Sequence, residues 1–258
     1  MSPENSRITL VGTIHRDPKG EGALVTLLKQ LQPDLVTVEV APAAVEYRRM
    51  RTRPLLFRLE RILERLAKEF NQPVAYFAEL PIIQDIQQLL ALPFEYRAAC
   101  RYAEQRPTRV ELIDLNEISL QKLKHVDPGL INYRNIRTLV NLEQPEIVHH
   151  AEGDYVTARN LLAARASDRL RESFLDKRRG DEGIGSRDGH MAATIRQLLA
   201  KHRPEHLVHI GGWVHLITDP QGGTLRSQLL DLDPVCYLAD RNEPLEQPAQ
   251  PPSGSTSP

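Results

Sequence analysis

Ile8-Thr9-Leu10-Val11-Gly12-Thr13-Ile14-His15 and Leu207-Val208-His209-Ile210-Gly211-Gly212-Trp213-Val214-His215 decide how this chain is read. Each is an apolar, β-like run that reaches a glycine and presents a histidine three residues later. A third run, Leu35-Val36-Thr37-Val38, ends in Glu39. Four to six apolar and β-branched residues between turn signals are the mark of a buried strand. Two imidazoles and a carboxylate at strand ends are suitable groups for a metal site or for acid–base work.

Outward from the first run, Gly20-Glu21-Gly22 makes a turn, and Ala23, Leu24, Leu27, Leu28 and Leu31 recur at helical spacing. Pro33-Asp34 breaks that helix before the Leu35 strand. Strand, helix, strand with short links predicts a βαβ unit with two parallel, adjacent strands. His15 and Glu39 then share the carboxyl edge of the sheet, where open α/β sheets carry their sites.

A long helical stretch is expected over about 44–106. Within it Leu55, Leu56, Leu59, Ile62, Leu63 and Leu66 form an apolar stripe beside many arginines, read as a core-packed helix with a solvated basic face. Thr108 to Asp114 returns to strand character. Glu117 to Lys124 is expected to be helical, and more helices follow over about 131–179. Gly180, Gly183 and Gly185 mark a loop; Ser186 is the expected cap of a helix whose Met191, Ile195, Leu198 and Leu199 share a face. A last strand is expected over 234–239. From Glu243 onward five prolines in sixteen residues, with almost nothing apolar, predict a disordered tail over 243–258. The reading is one α/β domain over 1–242, with a central, mostly parallel sheet and large helical insertions.

Composition narrows the function. Lys+Arg 33 against Asp+Glu 34 argues against nucleic-acid binding by bulk charge. No run approaches the roughly 20 apolar residues of a membrane span, and the N-terminus has no apolar signal core. Cys100 and Cys236 form neither zinc spacing nor a disulfide framework, so a cytoplasmic location is expected. No Gly-x-Gly-x-x-Gly, P-loop, Gly-x-Ser-x-Gly or His-Glu-x-x-His occurs.

Individual residues carry two readings each. The glycines before His15 and His215 lack Cβ, which lets the backbone bend and the imidazole turn into a cleft. Glu39 and Asp114, at buried strand ends, need an arginine, a metal or a proton to offset burial; Asp114 or Asn116 could instead cap a helix. Arg187 at a helix start opposes the helix dipole, which a partner anion or carboxylate would explain.

These motifs, in this order, resemble the TraB family, which includes pheromone-shutdown proteins and is related to GumN and to the Tiki proteases. The likeness rests on Gly12-Thr13-Ile14-His15, Val38-Glu39, Leu112-Ile113-Asp114, Arg187-Asp188-Gly189-His190 and Gly212-Trp213-Val214-His215. The Tiki branch implies a metal-dependent hydrolase of peptide or amide bonds. The resemblance places His15, Glu39 and His215 around a divalent ion, with Glu39 as ligand or base, Asp114 as a further site carboxylate and Arg187 on a substrate carboxylate or oxyanion. Imidazole ligands favour Mn, Co, Zn or Fe over Mg or Ca. The expected partner is a peptide or small-molecule substrate. The alternative is a protein that sequesters a peptide, haem or metal without turnover.

Overall fold

A computed structural model describes residues 6–15, 17–117, 123, 129–142, 151–163, 165–180 and 183–245. Its centre is a five-stranded sheet of β1 (Arg7–Thr13), β2 (Leu35–Val38), β3 (Arg109–Leu112), β4 (His206–Gly212) and β5 (Val235–Leu238). The order is β3-β2-β4-β1-β5 and every pairing is parallel. β2 and β4, and β1 beyond Arg7, are buried along their length because helices cover both faces.

The expected adjacency of β1 and β2 is corrected: β4 lies between them, in register with both. The helix α1 (Gly20–Leu31) therefore carries the chain past one strand position, which β4 fills from far along the sequence. The second histidine motif thus enters between His15 and Glu39.

One face of the sheet packs on α1 and on α5 (Phe94–Ala103). There Leu24, Leu27, Leu28, Ala98 and Tyr102 meet Val11, Val36, Val38, Val208 and Ile210. The other face meets α7 (Ala151–Leu162), α8 (Asp168–Asp176), α9 (Ser186–His202) and α10 (Leu225–Gln228). Its core joins Leu10, Leu35 and Leu207 to Tyr155, Leu175, Ile195 and Leu225. The chain leaves β1 over the first face and β4 over the second, in opposite directions. A crevice opens at the carboxyl ends of two such adjacent strands, as open α/β sheets require.

A separate helical lobe has its own core. The 29-residue α2 (Pro42–Phe70) runs beside α3 (Val74–Ala78), α4 (Pro81–Leu90) and α6 (Tyr133–Asn141), burying Leu55, Leu59, Leu63, Leu66, Ile83 and Ile136. The expected helix over 117–124 and the tail beyond 245 lie largely outside the described residues. The tail is corrected at its start: Pro244 bridges to Tyr237, and the Leu245 N–H donates to the Cys236 carbonyl, so 244–245 pair along β5. Among the described residues no helix is long and apolar enough to cross a membrane, and both cysteines are free.

Candidate functional site

Because all five strands are parallel, His15, Glu39, Asp114 and His215 all fall at the same edge of the sheet. The two motif glycines make room for each other's motif. A Cβ on Gly12 would stand 2.9 Å from the Trp213 backbone, and one on Gly212 would stand 3.0 Å from His15 Nε2. Neither glycine has positive φ, so the expected bend is replaced by a demand for space.

The two imidazoles receive matching partners from opposite faces. His15 Nδ1 lies 2.8 Å from Glu95 Oε1, in the first turn of α5. His215 Nδ1 lies 2.7 Å from Asp188 Oδ1, in the first turn of α9. The positive end of a helix dipole favours a carboxylate in each place. Asp188 also receives N–H groups from Gly185 and Leu225; Gly185 is thus the N-cap residue where Ser186 was expected.

Beyond that the two differ. His215 is buried, and its Nε2 lies 3.0 Å from Glu39 Oε1. Both ring nitrogens face oxygens of carboxylates, which accept, so the ring holds both protons. Burial opposes its charge, but Glu39 and Asp188 outweigh burial and push its pKa up to about 10. The His15 side chain is 60% exposed and lines a cavity of about 240 Å³ together with Glu39, Arg48, Gln88 and Glu95. Packing around the ring disfavours its charged form; Glu95 and the charge of Glu39 outweigh this and raise its pKa above 6.5.

Glu39 is held on every side. Oε2 accepts the Gly212 N–H at 2.6 Å, and Oε1 accepts from His215 and, at 2.6 Å, from Arg187. Burial would raise its pKa, but His215 and Arg187 hold it well below the usual carboxylate range. Arg187 spans Glu39 and Asp114, placing Nε 2.9 Å and Nη2 2.8 Å from the two Asp114 oxygens. This planar fork accounts for an arginine at a helix start: its partners are carboxylates of the protein itself. Asn116 Oδ1 accepts the Ala43 N–H in the first turn of α2.

Three neighbours escaped the sequence reading. Glu95 sits in a helix with no motif, and Asp188 was legible only as a member of the Arg187-Asp188-Gly189-His190 motif, with no role assigned to it. His209 lies inside an apolar strand run, fully buried, with Nδ1 3.0 Å from Thr37 Oγ1 and, among the described residues, no partner for Nε2. Burial, which the charge of Glu39 only partly opposes, lowers its pKa to about 4. A Cβ on Gly211 would stand 2.7 Å from Glu39 Oε2 and 2.9 Å from His209 Nε2. The available signal was two polar residues, Thr37 and His209, in register on neighbouring apolar strands.

A metal was tested against this donor set. A carboxylate behind each Nδ1 is what ligating imidazoles usually have. Glu39, however, is occupied by an imidazolium, a guanidinium and an amide. Among the described residues no group of three or more His, Cys, Asp or Glu side chains is arranged to hold an ion. The residues are of the types that hold a metal; in this structure Glu39 and His215 are paired with each other and with Arg187 and Asp188. Comparison with protein-family models, curated proteins and solved structures finds no match for this chain.

Proposed function

We propose that this protein hydrolyses peptide or amide bonds, with His15 as general base and acid. The observation that carries this reading is the Glu95–His15 pair: a carboxylate fixes the ring through Nδ1, and the exposed ring lines a cavity. In its neutral form His15 takes a proton from water at Nε2, and the resulting hydroxide attacks the substrate carbonyl carbon. The imidazolium then returns the proton to the leaving nitrogen as the C–N bond breaks. The negative charge of Glu39 favours the imidazolium that forms between the two steps. Glu39 itself is a positioning group, locked by His215 and Arg187 so that its charge stays fixed beside His15. The choice of peptide and amide bonds is supported by the resemblance of the strand-end motifs to TraB-type proteins.

A metal-dependent form of the same reaction, with Mn, Co, Zn or Fe held by His15, Glu39 and His215, is the second reading. The carboxylate behind each imidazole favours it; such an ion would supply an activated water. The third reading, sequestration of a peptide, haem or metal, requires no turnover.

Incubation with a mixed peptide library, read by mass spectrometry with and without added Mn and Zn, separates the three. New termini in metal-free buffer, lost in His15→Ala, support the first reading. Cleavage only with stoichiometrically bound metal supports the second. Retention of peptides without cleavage in either buffer supports the third and overturns both hydrolytic readings.

A further inference from the structure

A second, larger cavity of about 990 Å³ runs along α2 and opens beside the His15 cavity, with Arg48 and Ala91 lining both. Its volume is at the top of the range for small-ligand sites. The α2 wall has two ends of different chemistry. Nearest the His15 cavity stand Arg48, Arg49 and Arg53; farther along stand Leu56, Leu59 and Leu63. Spacings of three and four residues put these side chains on one side of the helix.

The arginines lack carboxylate partners among the described residues. Arg48 is half-buried, and its Nε reaches only the Leu89 carbonyl at 3.4 Å. Arg49 donates to the Tyr96 hydroxyl at 2.8 Å and lies over that ring. The fourth arginine of the cavity, Arg97, is paired with Glu21. Glu60, the only acidic residue among those lining it, is at the apolar end. A half-buried guanidinium without a counter-charge is costly, and burial draws the pKa of Arg48 down. An incoming anion would offset that cost.

We propose that this groove binds the acidic–apolar stretch of a peptide, acidic side chains on Arg48, Arg49 and Arg53 and apolar side chains against Leu56, Leu59 and Leu63. The proposal rests on the hydrolase reading, because it places the acidic residue next to the bond presented to His15. The dimensions agree. Arg48 to Leu63 spans about 22 Å of helix, or roughly six to seven residues of extended peptide.

The test is fluorescence polarisation with a dye-labelled hexapeptide of two glutamates followed by four leucine or phenylalanine residues. The control is the same peptide with lysines for glutamates. The glutamate peptide is expected to bind about tenfold more tightly. Arg48→Gln and Arg53→Gln should each weaken it about fivefold, whereas Arg61→Gln, outside the groove, should not. If Arg48→Gln melts early, the exposed Arg53 carries the comparison.

Equal binding of the two peptides, no effect of Arg53→Gln, or displacement by a fatty carboxylate but not by unlabelled peptide would overturn the proposal. Binding is read without turnover, so the two claims fail separately. Selective binding without cleavage leaves the groove standing and removes the hydrolase reading. Cleavage indifferent to peptide charge does the reverse.

Discussion

The two Gly-x-x-His motifs end neighbouring parallel strands, and each histidine is backed by a carboxylate from a helix N-terminus, yet their chemistry diverges. His15 is backed on one side only and faces a cavity. His215 is enclosed between Asp188 and Glu39 and keeps both protons. The motif delivers an imidazole to the sheet edge; the second ring nitrogen's neighbour decides what it does there. One histidine is left free to exchange a proton, while the other is part of the charge network that fixes Glu39.

This contrast is most severely tested by cutting the enclosed side. Arg187→Ala leaves Glu39 and Asp114 buried without their shared guanidinium, and should cost about 3–5 kcal/mol in urea unfolding. Arg187→Lys, which keeps the charge and loses the fork, should cost clearly less. A near-neutral alanine variant that loses activity would instead make Arg187 a substrate contact.

On the open side, His15→Ala should lower peptide cleavage by about 10²–10⁴-fold and change stability by less than about 1 kcal/mol, because the ring is mostly exposed. A large stability loss there would make the two histidines equivalent structural members.

Stability against pH sharpens the comparison further. The pKa of His215 rises from 6.5 to about 10 on folding. Its contribution is complete below pH 6.5 and is lost as the pH rises toward 10. The pKa of Glu39 is depressed below 4.5, so its contribution is present above that value and lost as the pH falls through its folded pKa. Chemical unfolding from pH 4 to 10 should therefore show a maximum between these limits, flattened on the alkaline side in His215→Ala.

The smallest effect is expected at Gly212→Ala. The new methyl meets His15 Nε2 at 3.0 Å, and an exposed ring can shift aside. The ring need give by only a few tenths of an ångström, so activity should fall about tenfold, short of the roughly 10²-fold that a 1 Å misplacement costs, with melting nearly unchanged.

Much of this arrangement was legible in the chain. Strand ends are marked by the turn from apolar runs to Gly12, Glu39, Asp114 and Gly212, and parallel pairing follows from the helices between them. The position of β4 was not legible, because a βαβ link that skips one strand has the same local pattern as one that does not. Glu95 was hidden for a related reason. Its helix reads as an ordinary amphipathic segment, and only long-range packing of α5 on α1 brings its first turn to His15. Arg187 was recognisable as an arginine in need of an anion, but the choice between a substrate and the pair Glu39 and Asp114 is made by distances. His209 was masked by its setting, a polar residue inside a run whose burial pattern is that of a core strand.

The most direct test of the divergence is to follow both imidazoles in one sample, by ¹⁵N-resolved NMR of histidine-labelled protein between pH 5 and 10.5, with assignments from His15→Ala and His215→Ala. His15 should titrate above pH 6.5, and His215 should remain doubly protonated until about pH 10. Both rings titrating together near pH 6.5 would contradict the account.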